Sequence, residues 1–103
     1  MAGTLTVIWW RAIPAQVVAR EGRRAHKVML HPRFQVAIDR AAEKAGKKSF
    51  DDYIGEWRKE NRPCGPDLEA EVTGEAARLE AEYTKGVLAG LAAAGGLGRR
   101  GVA

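Results

Sequence analysis

Apolar and polar positions change period along the chain, and each change marks a predicted element. Residues 4–10, TLTVIWW, put Leu5, Val7 and Trp9 on one side of an extended chain and Thr6, Ile8 and Trp10 on the other. Both sides carry apolar groups, so the segment reads as a largely buried, central strand. Arg11 to Pro14 is a connection, because proline lacks the backbone donor a strand interior needs. Residues 15–20 read as a second strand and 25–30 as a third, although AQVVAR also fits the opening of a short helix. Between them Glu21-Gly22-Arg23-Arg24 sets a glycine at the first central position of a two-residue II′ turn.

From Pro32 the period becomes helical. Phe34, Ala37, Ile38, Ala41 and Ala45 share one face, and Gly46 offers a left-handed stop. Lys44, Lys47 and Lys48 cluster at that C-terminus, where the helix dipole favours cations. Ser49-Phe50-Asp51-Asp52 resembles a capping box and predicts a second helix. Tyr53, Ile54 and Trp57 form its apolar face, and Asn61-Arg62-Pro63 ends it. A third helix follows Gly65-Pro66, with Asp67, Glu69 and Glu71 in its first turns. Its stripe is Leu68, Val72, Ala76, Leu79 and Tyr83, weakened by Gly74. After Thr84 the text turns small and glycine-rich, GVLAGLAAAGGLGRRGVA. Val87 to Leu91 extends a helix, and the rest has too little to bury to offset its ordering entropy. The expectation is an α+β domain over residues 1–83, with about three antiparallel strands followed by about three helices on one face. Residues 84–103 are expected to be a Gly/Ala-rich, partly disordered tail.

Composition changes this picture little. At 103 residues, 46% hydrophobic and 29% charged, the chain fits one ordinary globular domain. The single cysteine, Cys64, forms no internal disulfide, no apolar run reaches membrane length, and MAGTLTVIWW lacks the form of a signal peptide. The reading is cytoplasmic, with no membrane partner. The net charge of +4 is uneven. Residues 1–31 hold five Lys/Arg against one acid, whereas residues 66–103 hold four against six. The asymmetry permits an anionic partner.

Three constellations compete to carry function. Trp9 and Trp10 point to opposite faces of a strand, so at most one serves as an exposed anchor. Beside Arg11, Ile13 and Pro14, with Trp57 and Arg58 as neighbours, such a ring suits a protein interface. The bland alternative buries both rings. Arg20, Arg23, Arg24 and Lys27 form a basic hairpin which, with Lys44, Lys47 and Lys48, suits nucleic acid. No aromatic is interleaved at its tip for base stacking, and a solvated hairpin that discourages edge pairing is the bland alternative. Cys64 precedes a helix start and follows Arg62, which favours a thiolate for a thiol enzyme or sulfur carrier. An inert loop cysteine is its alternative, and no second cysteine supports dithiol chemistry. His26 and His31 with Cys64 match no structural zinc spacing, and His31 reads as a cap neighbour of the first helix. Asp51/Asp52 and Asp39/Glu43 are explained by capping and by a solvent-face pattern. No metal or cofactor is expected.

TLTVIWWRAIPAQVVAREGRR, HPRFQVAIDRAAEKAG and DDYIGEWRKENRPCG together resemble a family of small bacterial proteins, the "virulence factor" domain family. It is related to a domain of the staphylococcal conserved virulence factor C. The resemblance spans about residues 4–83 and rests on text rather than on a catalytic motif. It implies an accessory subunit, because stand-alone members in alphaproteobacteria are encoded beside one-carbon genes for methylenetetrahydrofolate reductase and corrinoid-linked methyltransferases. The chain has no Asp-x-His-x-x-Gly corrinoid signature, and it is too short for a folate-binding barrel. The expected function is therefore a non-catalytic module that docks on a larger protein, with a one-carbon enzyme as the implied partner. The oligomeric state is not legible.

Overall fold

The computed structural model of the chain describes residues 3–47 and 49–97. Strands β1 (Gly3–Trp10), β2 (Ile13–Glu21), β3 (Arg24–Met29) and β4 (Trp57–Cys64) form one antiparallel sheet in the order β3-β2-β1-β4. The helices are α1 (Pro32–Lys44), α2 (Phe50–Ile54), α3 (Leu68–Glu82) and α4 (Lys85–Ala93). The α+β class holds, with four strands and four helices among the described residues rather than three of each. Gly22 takes φ +60° while Arg23 stays out of the left-handed region, as a II′ hairpin demands.

Side chains close the helix ends. His31 is the N-cap of α1, its ring accepting from the Arg33 N–H at 3.0 Å. Ser49, Asp67 and Thr84 do the same for α2, α3 and α4. Leu5, Val7, Val17 and Ala19 from one sheet face join Leu68, Val72, Ala76 and Leu79 of α3 in the core. Helix α3 crosses β2 and β3 and touches β1, while α1 reaches β2 and lies along α4.

Two sequence expectations are corrected. The second helix stops at Ile54, and residues 57–64 are β4, hydrogen-bonded along the free edge of β1. Seven of its eight residues are exposed or half-buried, so it shows neither period. The segment after Thr84 is helical where a helix is expected, at Val87 to Leu91, but it forms a separate, packed helix rather than a tail. Leu88, Leu91 and Ala92 of α4 are buried in the same core as the sheet, and the small residues around them let α4 lie close to α1. The expected disorder at 98–103 lies outside the described residues.

One buried charge escaped the pattern. Glu75 sits inside the apolar stripe of α3 with its side chain only 7% exposed. It accepts from Arg78 at 2.5 and 3.1 Å and from Arg62 at 3.3 Å. The Arg78 guanidinium, helped by Arg62, holds its carboxyl below the ordinary carboxylate range although burial pushes the other way. A carboxyl with a lower pKa folded than unfolded stabilises the fold above its unfolded value of about 4.3. That contribution is lost as the pH falls through the folded value. Glu75→Gln is therefore expected to flatten the acid side of a stability-versus-pH curve below about pH 4. At neutral pH its cost is about 1 kcal/mol, because both arginines are half-exposed and rehydrate. Urea midpoints measured across that range test this; parallel curves for wild type and variant would remove the role from Glu75.

Candidate functional site

The Trp9-Trp10 end of β1 is structural. Trp10 is 0% exposed; its ring stacks on Tyr53 at 5.8 Å and its Nε1 donates to the Tyr53 carbonyl at 2.9 Å. Ile13 and Pro14 are equally buried. A side chain with no accessible surface cannot enter a partner's pocket, so these three leave the expected docking set. Trp9 and Trp57 are half-buried: Trp9 lies under the Arg58 guanidinium at 5.0 Å and edge-on to Tyr83, and Trp57 is edge-on to Tyr53.

Arg11 is also committed internally. It is the single non-glycine among the described residues with positive φ, at +53°. Such strain, of order 1–3 kcal/mol, persists only where surroundings hold it. Here its Nη1 donates to the Gly95 carbonyl at 2.9 Å and its Nη2 to Glu56 Oε2 at 3.2 Å. Its carbonyl accepts from Arg58 Nε at 3.0 Å. Glu56 pairs with Lys47 as well, at 3.3 Å, and the Arg11 guanidinium keeps its carboxyl below the ordinary range. The whole group latches the β1–β2 turn to the segments before β4 and after α4.

The second sheet face is different. Pairing across the sheet defines three rows on it: Ala25-Arg20-Thr4-Pro63, Lys27-Val18-Thr6-Asn61 and Met29-Gln16-Ile8-Lys59, each read from β3 to β4. None of these residues is buried, whereas Leu5, Val7, Val17 and Ala19 on the reverse of β1 and β2 all are. Ile8, Val18 and Met29 supply apolar surface, and Thr6 donates to Asn61 at 2.6 Å beside them. Arg20, Lys27 and Lys59 stand around this centre. Strand spacing places Lys27 and Lys59 about 16 Å apart, three strands over and one row along. No carboxylate lies in the three rows, and among the described residues none of the three cations is ion-paired. On the reverse of β4, Arg58 and Arg62 are paired with Glu60 and Glu75. The bare face is thus a flat apolar centre with an unneutralised cationic rim.

The basic set expected from the sequence is divided. Arg20 and Lys27 belong to the bare face, and Arg23 and Arg24 to the adjoining turn, where Arg24 pairs with Glu21. Lys44 and Lys47 lie toward the Trp10 end, which is about 13 Å of strand from the Lys27 row and about 20 Å from the Arg20 row, and Lys47 is paired. Lys48 lies outside the described residues. Cys64 is buried beside Gly3 and Leu68, and burial, reinforced by Glu71, pushes its thiol up rather than down. That opposes the activated thiolate of the sequence reading. His26 is exposed on β3 and His31 is spent on its cap; among the described residues no three His, Cys, Asp or Glu side chains converge to hold a metal. No described helix is long and apolar enough to cross a membrane. Ile8, Val18, Met29 and Lys59 were not singled out from the sequence, because only the register of β4 and β3 brings them together.

A family model described as "Virulence factor" matches residues 8–92, from within β1 to the end of α4. No curated protein and no solved structure matches the chain.

Proposed function

The chain belongs to the Virulence factor family, and from that premise we propose that it is a non-catalytic docking module that seats a larger protein on the bare face of its sheet. The observation that carries this reading is the unpaired cationic rim of Arg20, Lys27 and Lys59 around Ile8, Val18 and Met29. An apolar centre inside a polar rim is the anatomy of a protein interface. The rim adds electrostatic steering toward a partner surface rich in carboxylates. Enzymes of one-carbon metabolism are the partner class, as the family resemblance implies. Nucleic acid is the weaker reading of the same charge, because no aromatic ring stands in the three rows to stack a base.

Capture from a native lysate of the source cell tests this with Lys27→Glu/Lys59→Glu, whose positions are exposed and whose fold is checked by circular dichroism. A one-carbon enzyme held by wild type and lost by the folded double variant is the expected result. Retention of the same enzyme by the variant overturns the assignment to this face. Binding of a mixed-sequence oligonucleotide that weakens steeply with salt transfers the face to nucleic acid.

A further inference from the structure

A second feature of the surface matches the bare face. Helix α2, Phe50-Asp51-Asp52-Tyr53-Ile54, turns only Tyr53 inward, onto Trp10, Trp57 and Gln35. Phe50 is 76% exposed and Ile54 45%, side by side at i,i+4. Asp51 and Asp52 flank them in solvent, and the helix carries no base. The chain therefore shows an apolar, acidic ridge and an apolar, cationic face, each uncovered.

We infer that a second copy of this chain occupies the bare face, with Phe50 and Ile54 of one copy against Ile8, Val18 and Met29 of the other. Asp51 and Asp52 then meet the rim of Arg20, Lys27 and Lys59. The inference rests on reading this face as a docking surface and names one occupant of it. Charge decides the choice of element. Residues 98–103, GRRGVA, carry two arginines and no acid, the same sign as the face, so they do not complement it. The exposed side of α4, with Lys85, Val87 and Ala89, has no acid either. One ridge on one face buries far less than the ~800 Å² per partner of a standard interface. Reciprocal docking about a two-fold axis doubles the contact and closes it. The dimer is accordingly weak and reversible, and a larger partner that covers the face dissociates it.

Sedimentation velocity of the full chain across a hundredfold range of concentration tests the inference. The expected mass rises from one chain toward two, and Phe50→Ser/Ile54→Ser holds it at one. A charge-exchanged pair gives an independent check: Asp51→Lys/Asp52→Lys and Lys27→Glu/Lys59→Glu each stay monomeric alone and dimerise when mixed. A single-chain mass at every concentration overturns the inference, as does a dimer indifferent to Phe50→Ser/Ile54→Ser. Neither result touches the docking reading, which fails if the sheet-face variant keeps its partner or if the face binds the oligonucleotide.

Discussion

Trp10→Ala is expected to destabilise the protein by roughly 3–5 kcal/mol, enough to leave much of the chain unfolded at ambient temperature. The ring is fully buried, and three separate contacts vanish with it: the stack on Tyr53, the bond to the Tyr53 carbonyl and the packing of Gly96 against the six-membered ring. The carbonyl of Tyr53 loses its donor, and the cavity lies where the segments before β4 and after α4 meet the sheet. Trp10→Phe keeps an aromatic ring and loses the indole bond, and costs about 1–2 kcal/mol. Urea unfolding followed by circular dichroism separates the two; a loss below about 1 kcal/mol for Trp10→Ala would show that the site collapses freely and that Trp10 is no keystone. The consequence for function is direct. A partner lost by Trp10→Ala reports a lost fold, whereas Lys27 and Lys59 are exposed and report the face itself.

The legible parts of the fold are those where one side of an element is buried. TLTVIWW, the α1 stripe and the α3 stripe all carry their period in the sequence, and so does the cap at Ser49, whereas Asp67, expected inside the first turn, is the cap of α3. Strand β4 is illegible because it is an edge strand whose middle is charged on both faces. Such charges guard an edge against pairing with another chain and erase the alternation that identifies a strand. Tyr53, Ile54 and Trp57 then suggest a helix that continues, although the chain has already turned at Gly55. Helix α4 is legible as a helix over Val87 to Leu91 but not as part of the core: small apolar residues all round give no contrast between faces, yet they suit a close helix pair. Glu75 carries a signal of its own, an acid set between Val72, Ala76 and Leu79 with arginines in reach.

The candidate face was less legible than the fold, and the cause is the same strand. Arg20 and Lys27 are visible as charges, but their neighbours across the sheet depend on register. Without β4 there is no Lys59 beside Ile8, and without the II′ turn there is no Met29 beside Gln16. The double tryptophan draws attention because large aromatics mark both cores and interfaces. Here one ring fills the core and the other lies under Arg58, and the surface begins one row further along the sheet, at Ile8 and Lys59.

Gly96→Ala is expected to cost about 2–4 kcal/mol, more than the same change at any other left-handed glycine among the described residues. Two effects add. Gly96 sits at φ +85°, where a Cβ is strained whatever the space. That Cβ would also stand 2.9 Å from the Trp10 ring and 3.3 Å from the Arg11 side chain. Trp10 is fully buried and bonded to Tyr53, so it cannot retreat, and Arg11 is tied to Glu56 and Gly95. Gly95 and Gly22 provide the controls. Gly95, at φ +72°, would bring its Cβ to 3.3 Å from the Ala45 Cβ, a contact that a small shift relieves. Gly22, at φ +60°, has open space around it, so its alanine meets backbone strain alone, about 1–2 kcal/mol. Stability should fall in the order Gly22→Ala, Gly95→Ala, Gly96→Ala, measured by urea midpoint at constant slope. Equal losses at all three would mean that backbone strain alone decides, and that the segment after α4 does not clamp Trp10. The predicted order makes that segment the clasp of the β1–β2 turn, holding Arg11 left-handed through Gly95 and Trp10 closed through Gly96.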